Sequence, residues 1–362
     1  MSLQYHRNRV PPPPLSCVAS HSMDRDTRIR FSVGHSVRGT DDSHLACPSG
    51  LAFDRRGFLV VADSSNNRVQ IFSIDDGSFV SSITGEQCET SSLSYPFDIA
   101  IDHELDRIVL LERDSHRVQI VALNDHSFLH SVGRRGRFDR EFETPRAVCL
   151  DDRRHRIIVA DTGNARLQVL SSIDGSFEFS RPCSVAPHAV CIDSQRERII
   201  VAAADHRRVQ VLSSIDRMAT LFEFSWPSGS DHHYHSSSFT PTGVCVDNHG
   251  RIITADFNNH QLVAFTSQGH YISSFDCQIR PYGVAFDEHR GLIAFSAGHR
   301  VFVIEANRWL CDTYEWRPER HAYAPLEIKR TVWTIVMLRA VAHWSTISLL
   351  PNELLFELFA LL

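Results

Sequence analysis

Six side chains of mixed chemistry occupy a recurring position in this sequence, each directly after a proline. They are Ser49, Phe97, Arg146, His188, Thr242 and Tyr282. An arginine and a histidine could hold an anionic group, and the two aromatic rings could stack on a flat ligand. Because the preceding prolines lie 40 to 54 residues apart, only a repeating fold could bring the six side chains together.

A repeat of 14 residues lies shortly after each of these positions. The copies begin at Leu59, Ile108, Ile157, Ile199 and Ile252, and a copy one residue shorter begins at Leu292. They read, in order, LVVADSSNNRVQIF, IVLLERDSHRVQIV, IIVADTGNARLQVL, IIVAAADHRRVQVL, IITADFNNHQLVAF and LIAFSAGHRVFVI. Such repeats bury their apolar faces only by stacking on their neighbours. Their spacing is typical of a β-propeller blade of four short strands.

The third unit shows the four strands of a blade most clearly. RAVCLD, after Pro145, is an apolar run that predicts an innermost strand packed on both faces. IIVAD, TGNA and RLQVL then predict a hairpin, and the Asp-Gly pair at residues 174–175 predicts a second tight turn because it tolerates positive φ angles. SFEFS supplies the fourth strand. The six proline-following residues therefore begin the innermost strands, beside the propeller axis.

The two ends of the repeat region predict how the ring closes. The sixth unit has three strands ending near Ile304, and the residues that follow lack the pattern of a fourth strand. The segment Ile29–Val37 instead matches the fourth-strand segment Phe128–Gly136. We expect the N-terminal segment to complete the sixth blade, which removes an open sheet edge. The predicted fold class is all-β, a monomeric six-bladed β-propeller over residues 28–310.

The hairpin turns resemble the NHL repeat, in which an aspartate lies five residues before an arginine across an asparagine-rich turn. The matching residues are Asp63, Asn66, Asn67 and Arg68; Asp161, Asn164 and Arg166; and Asp256, Asn259 and His260. The fourth unit departs, with Ala203 in place of the aspartate, and the sixth has a shortened turn. The resemblance implies a propeller like those of TRIM-NHL proteins, which recognise a protein or an RNA. Because propellers host many unrelated activities, it implies a fold more than a function.

Composition disfavours several classes of function. The 362 residues carry a formal net charge of −6, which argues against the broad cationic surface of an RNA-binding domain. The nine cysteines form no C-x-x-C pair, and Cys149, Cys191 and Cys245 share one innermost-strand position as small packing residues. We expect a reducing, cytoplasmic compartment. The sequence shows no signal-peptide core, and the run VWTIVML is too short to span a bilayer.

An enzymatic role is the main alternative class. Some NHL propellers are lyases that hold metal ions in the axial channel, which requires several histidines or carboxylates at the axis. The ring offers only His188, and no nucleophile or phosphate-loop motif is present. His232, His233 and His235 cluster in a serine-rich insert, which indicates a solvated loop rather than a preorganised metal site. We therefore expect no catalytic residue, no metal and no cofactor.

The sequence changes character after Trp316. Residues 324–343 and 349–362 predict two helices after a linker over 311–323, and residues 1–27 predict a disordered, proline-containing N-terminus. The string LPNELLFELFALL resembles the first helix of an F-box, and the helix pair resembles a SOCS-type box. These resemblances imply docking to a cullin-ligase adaptor through Trp333, Leu350, Pro351, Leu354, Leu355, Leu358 and Phe359. The alternative is that the helices cap the propeller.

The sequence therefore predicts a non-enzymatic protein-interaction scaffold. The propeller would bind a protein partner at its axial mouth, and the tail would recruit a cullin-ligase adaptor, as in the substrate-recognition subunit of a ubiquitin ligase. Any ligase activity would be borrowed, because the sequence has no RING or B-box cysteine–histidine pattern. An axial-metal lyase or hydrolase and an RNA-binding propeller are the alternatives.

Overall fold

The computed structural model describes residues 29–85, 93–226 and 239–312 of the chain. Within these ranges the chain forms 24 strands and one short α-helix. The proline-rich N-terminus, the histidine-containing insert and both predicted tail helices lie outside the described residues, so what the sequence indicates for them stays a prediction.

The first half of the chain supplies one separate strand and three blades. The separate strand is β1 (Ile29–Gly34). Blade 1 contains β2 (Pro48–Asp54), β3 (Phe58–Asp63), β4 (Arg68–Ser73) and β5 (Phe79–Ile83). Blade 2 contains β6 (Pro96–Asp102), β7 (Arg107–Glu112), β8 (Arg117–Ala122) and β9 (Phe128–Val132). Blade 3 contains β10 (Ala147–Asp151), β11 (Arg156–Asp161), β12 (Arg166–Ser171) and β13 (Phe177–Pro182).

The second half supplies the other three blades and the helix. Blade 4 contains β14 (Ala189–Asp193), β15 (Arg198–Ala203), β16 (Arg208–Ser213) and β17 (Thr220–Phe224). Blade 5 contains β18 (Pro241–Val246), β19 (Ile252–Asp256), β20 (Gln261–Phe265) and β21 (Tyr271–Asp276). Blade 6 contains β22 (Pro281–Asp287), β23 (Leu292–Ala297) and β24 (Arg300–Glu305), and α1 (Ala306–Asp312) follows.

The ring closes through the N-terminal strand, as the sequence predicts. The sixth sheet has the order β1-β24-β23-β22, so its outermost strand comes from the opposite end of the propeller. The pairing is antiparallel and joins Phe31 to Val303 and Val33 to Val301. The side chain of Val33 is buried in an apolar cluster with Leu45. The six-bladed all-β fold with this closure is therefore confirmed.

The apolar core lies in layers between neighbouring blades. Between blades 2 and 3, for example, Val109 and Leu111 of β7 share one buried cluster with Val148 of β10 and Val159 of β11. Each fully buried aliphatic side chain of this kind contributes roughly 1.5–3 kcal/mol. Because every layer needs two blades, the faces of a blade are buried only within the complete ring.

In blades 1, 3 and 5 the repeated aspartate of the NHL-like turn ties the blade to the loop before it. Asp161 accepts hydrogen bonds from the backbone N–H of Glu143 at 2.7 Å and from Arg166 Nε at 2.7 Å. Arg166 also donates to the carbonyl oxygens of Phe138 and Glu141, at 2.9 and 2.8 Å. Ala165 closes the turn in the left-handed region, at a φ of 50°. The aspartate–arginine pair is thus a structural element.

Blade 4 lacks this aspartate and uses a different carboxylate. Ala203 occupies the position, and Arg208 instead donates to Glu223 on the outermost strand at 2.7 Å. Gln210 Nε2 donates to the same carboxylate at 3.1 Å. The side chain of Glu223 is 45% exposed, whereas Asp161 is fully buried. The arginine keeps a partner, but the pair lies at the surface.

The helix α1 packs against the last two blades. Trp309 is fully buried, and its ring centroid lies 5.9 Å from that of Phe275 in β21. Leu310 and Ala306 join the same cluster, which spans β18 to β24. The sequence pattern gave no indication of this helix, because it has seven residues and no amphipathic repeat.

We predict that the buried turn network contributes far more stability than its surface counterpart. Replacing Asp161 with Ala leaves the guanidinium of Arg166 buried without its carboxylate, and we expect a loss of about 2–4 kcal/mol in the free energy of unfolding. The matched variant Glu223→Ala breaks an exposed pair and should cost less than about 1 kcal/mol. Urea denaturation of the full chain measures both values. Equal losses would contradict the structural role given to Asp161.

We also predict that the closing strand is required for stability. Val33→Asp places a carboxylate in an apolar cluster and should lower the free energy of unfolding by about 3 kcal/mol. Arg30→Asp, on the same strand but exposed, should change it by less than about 0.5 kcal/mol. Thermal unfolding followed by circular dichroism measures the difference. A Val33→Asp protein as stable as the parent would mean that β1 does not complete blade 6.

Candidate functional site

The six innermost strands surround a central channel. The cavity has a volume of about 310 Å³. All six residues that follow the repeat prolines line it: Ser49, Phe97, Arg146, His188, Thr242 and Tyr282. The structure therefore brings the predicted residues together around one opening, which we call the mouth. Their role in binding stays a prediction.

The two hydroxyl residues of the mouth bond to the neighbouring blade. Ser49 Oγ donates to the carbonyl oxygen of Phe97 at 2.6 Å, and Thr242 Oγ1 lies 3.0 Å from that of Tyr282. Ser296 Oγ likewise donates to the Ser49 carbonyl at 2.9 Å. Ser49 and Thr242 therefore stabilise contacts between blades, and their hydroxyls are not free for a ligand.

The aromatic residues of the mouth form a cluster with arginines at its edge. The rings of Phe97 and Tyr282 meet edge to face, with centroids 5.7 Å apart. The guanidinium carbon of Arg113 lies 4.1 Å from the ring centroid of Tyr95 and 5.2 Å from that of Phe97. On the other side, Phe257 contacts Tyr282 edge to face at 6.1 Å. Sequence reasoning missed Tyr95 and Arg113 because they lie in loops outside the repeated position.

The mouth leaves some polar atoms without a partner. Arg146 is half-buried, and its Nε is buried with no hydrogen-bond acceptor among the described residues. His188 Nδ1 lies 3.1 Å from the Ala186 carbonyl oxygen, and its Nε2 lies 3.5 Å from Asp205 Oδ2. Burial, followed by the nearby charge of Arg146, lowers the pKa of His188 below its usual range. The cationic group of the mouth at neutral pH is therefore Arg146.

One carboxyl group lies in the channel wall just below the mouth. Asp98 occupies a position at which the other five blades carry Gly50, Ala147, Ala189, Gly243 and Gly283. Its Oδ2 accepts a hydrogen bond from the Val148 N–H at 2.9 Å, which links blade 2 to blade 3. Burial raises the pKa of Asp98 to about 7. The sequence signal for this group is one acidic residue at a position where the other five blades carry glycine or alanine.

Small residues at this position let the inner strands approach closely. A Cβ atom on Gly283 would lie 2.1 Å from the Ser49 carbonyl oxygen, and one on Gly50 would lie 2.5 Å from the Cα atom of Asp98. Both separations are too short for real atoms, so these two positions require glycine. The tight packing keeps the channel narrow beneath the mouth.

The three cysteines of the innermost strands also line the channel. Cys149, Cys191 and Cys245 contact the cavity at the level where the other blades place alanine. All three are free thiols, and burial raises the pKa of each above the ordinary value. The thiols therefore stay protonated at neutral pH and give the wall an apolar surface.

The end of the channel opposite the mouth carries a carboxyl group, whereas the mouth carries the guanidinium of Arg146. Asp152 lines the cavity directly after strand β10, and Arg153 beside it is exposed. Burial, followed by the negative charges of Asp102 and Glu104, raises the pKa of Asp152 to about 6. Within the described ranges, no group of three or more histidine, cysteine, aspartate or glutamate side chains is placed to hold a metal ion.

The fold and the channel define a class of protein: a six-bladed β-propeller built from NHL repeats. The family model for the NHL repeat matches residues 45–72, 142–170 and 240–265. The chain thus contains NHL repeats within a six-bladed β-propeller. The protein lin-41 of Caenorhabditis elegans is 54% identical over 43 residues, which are 12% of this chain and 4% of lin-41. This chain therefore spans only a small part of that relative's length.

Solved structures of other propellers superpose on this one. The β-propeller domain of Cps50 (Swd1) from Myceliophteria thermophila has a TM-score of 0.54 and 11% identity, covering 76% of this chain and 98% of the domain. A streptogramin B lyase has a TM-score of 0.55 and 10% identity, covering 75% and 96%. At these identities the likeness shows the fold alone.

Of the helices in the described ranges, none has the length and apolar character needed to traverse a bilayer.

We predict that Asp98 makes the stability of the propeller depend on pH. The unfolded carboxyl has the ordinary pKa of 3.8, and the folded one has a pKa of about 7. As the pH rises from the pKa of the unfolded carboxyl to that of the folded one, Asp98 loses its proton in the unfolded state but keeps it in the folded state. The free energy of unfolding therefore falls over this range and stays low above neutral pH. Asp98→Asn keeps the acceptor for Val148 but cannot ionise. The stability gained by this change should be larger at about pH 8.5 than at about pH 5.5, by about 1–2 kcal/mol.

Urea denaturation at the two pH values measures this difference. Asp76→Asn, at an exposed turn on the outer part of blade 1, is the matched control and should show no such gain at high pH. A pH-independent effect of Asp98→Asn would contradict a folded carboxyl that titrates near neutrality.

Proposed function

We propose that this chain is a non-enzymatic protein-interaction platform whose partner docks on the mouth face of the propeller. The observation that carries the proposal is the mouth itself. Arg146, whose side chain has no acceptor among the described residues, lines the same cavity as the packed rings of Phe97 and Tyr282. Arginine, tyrosine and other aromatic side chains contribute most of the energy at protein interfaces. Because packing already fixes the rings, binding orders few side chains and costs little entropy.

A hydrogen-bonded loop on the same face of the propeller extends this surface. Phe138 is 78% exposed, yet its backbone N–H donates to Glu141 Oε2 at 3.0 Å, as does that of Arg137. The carbonyl oxygen of Phe138 accepts a hydrogen bond from Arg166. An exposed aromatic ring on a backbone fixed in this way is suited to enter a pocket on a partner.

The same loop does not favour RNA. Residues 134–143 contain four arginines and three carboxylates. Arg134 bonds to Glu141 at 2.9 Å and Arg135 bonds to Glu143 at 3.1 Å. Paired arginines offer little of the cationic surface that phosphate binding needs. RNA binding is therefore an outcome that the experiment below detects, rather than the function proposed.

We further propose that residues 324–362 recruit a cullin-ligase adaptor, which would make the propeller the substrate-recognition arm of a ubiquitin ligase. The support is the sequence resemblance of these residues to an F-box helix and a SOCS-type box. The competing role, a cap on the propeller, predicts that removing the tail harms stability without changing the bound partners.

Affinity capture with the full chain tests the interaction surface. We expect Phe138→Ala together with Arg146→Ala to lose the main bound proteins, because both side chains lie on the mouth face. The matched control is Ile173→Ala, which removes an equally apolar side chain, 56% exposed, from a turn at the opposite end of blade 3. Loss in the control, or none in the double variant, would contradict the proposal. Capture that ribonuclease abolishes would favour RNA.

Truncation after residue 319 tests the tail separately. We expect cullin-adaptor proteins to be lost from the capture while the partners of the mouth are retained. If the truncated chain keeps every partner and loses only solubility, the tail caps the propeller and the ligase proposal fails.

A further inference from the structure

We propose that the mouth binds one anionic oxygen group, a carboxylate or a phosphoryl group on a side chain of the partner protein, at Arg146 with the hydroxyl of Tyr282. This inference rests on the proposed function, because it names what the docked partner presents to the mouth. It concerns the residues of the channel opening and not the exposed loop around Phe138.

Arg146 differs from every other shielded arginine in the described ranges. The remaining buried and half-buried arginines each donate to at least one acceptor, as Arg68 does to Asp63 at 2.8 Å and Arg117 does to Glu112 at 2.7 Å. Even Arg181, which has no carboxylate, donates to Thr220 at 2.7 Å. Arg146 has no side-chain acceptor in this part of the chain, and its Nε is already out of solvent.

The Nε–H group of Arg146 is shielded from water and has no acceptor among the described residues, so it has lost hydration without gaining a hydrogen bond. An anion that accepts two of the guanidinium N–H groups would supply charge-assisted hydrogen bonds, which are about twice as strong as neutral ones. The planar fork of arginine is suited to carboxylate and phosphoryl oxygens in this way. The structure therefore favours an anionic ligand over a neutral one at this position.

A second polar group and a second charge face the same space. Burial raises the pKa of Tyr282, so its hydroxyl keeps its proton, and the positive charges of Arg146 and Arg113 both act on this group. Tyr282 and Arg146 belong to blades on different sides of the channel, and both line the cavity. An anion placed between them could accept from the guanidinium and the phenol together.

The dimensions of the mouth limit what carries the anion. The cavity holds about 310 Å³, and the packed rings of Phe97 and Tyr282 narrow its opening. Below the opening, the cavity is lined by the carboxyl of Asp98 and the thiols of Cys149, Cys191 and Cys245, and no second arginine among the described residues lines it to bind another anion. One side chain fits this space, whereas a nucleic acid would need a row of cations for successive phosphates.

Other charged groups around the mouth do not replace Arg146. His188 is neutral at physiological pH because burial lowers its pKa. Arg113 already bonds to Asp114 at 3.0 Å and stacks on Tyr95. Asp205, which lies 3.5 Å from His188, is 70% exposed and solvated. The affinity for an anion should therefore depend mainly on one guanidinium.

Peptide libraries incubated with the immobilised full chain test the proposal. Each capped heptapeptide carries Glu, phosphoserine or Gln at the centre and random neutral residues elsewhere. We expect the chain to retain the Glu or the phosphoserine set at least about tenfold more than the Gln set. The first two sets distinguish a carboxylate from a phosphoryl group, and inorganic phosphate should compete with either. Equal retention of all three sets overturns the proposal.

Two substitutions assign the effect to the mouth. Arg146→Gln should abolish the preference for the anionic set, and Arg146→Lys should restore part of it, with thermal unfolding of both variants matching that of the parent. Arg207→Gln, an exposed arginine on a turn of blade 4, is the control and should keep the preference. An Arg146→Gln protein with the parental preference overturns the proposal, as does stronger competition by a single-stranded RNA oligonucleotide than by phosphate.

The capture experiment with Phe138→Ala separates this proposal from the broader one. If Phe138→Ala loses the partner while Arg146→Gln alone keeps it, the partner does not present its anionic group to Arg146, so the anion proposal fails and the protein-interaction platform stands. If neither change affects the partner, both proposals fail.

Discussion

The pairing of β1 with β24 is the constraint on which the rest of the structure depends. Each blade buries its apolar faces only between two neighbours, so a ring without its sixth complete blade exposes two faces and an open edge. The two strands come from opposite ends of the repeat region, and their pairing joins those ends. Ring closure makes all six innermost strands start at one end of the channel. The mouth is therefore a product of the closure and not of any single repeat.

The arginines of the propeller divide into two groups with different roles. Arg68, Arg117 and Arg166 bond to buried carboxylates in the repeated turns, and Arg68 and Arg166 also donate to carbonyl oxygens of the preceding loops. Arg208 bonds to a surface carboxylate of its own blade where the repeat has lost its aspartate. Arg146, directly before the innermost strand β10, has no such partner among the described residues. The bonds to carboxylates account for the arginines of the first group. No such bond among the described residues accounts for Arg146, and this makes it a candidate for binding.

Sequence patterns predicted the blades, the closing strand and the convergence of the six proline-following residues, because these depend on periodicity. They could not predict which of the six are free to bind. The hydroxyls of Ser49 and Thr242 are taken up by carbonyl groups of the next blade, 40 or more residues away in sequence. The burial of Trp309 and the raised pKa of Asp98 arise from packing between blades in the same way. Contacts between units leave no periodic signal within a unit.

Hydrogen–deuterium exchange of the full chain tests the ring closure most directly. The strand β24 (Arg300–Glu305) is third in its blade, as β12 (Arg166–Ser171) is in blade 3. If β1 covers β24, its backbone amides exchange as slowly as those of β12, because both strands are hydrogen-bonded on two sides. Rapid exchange of half of the β24 amides, with β12 still protected, would contradict the closure and with it the arrangement of the mouth.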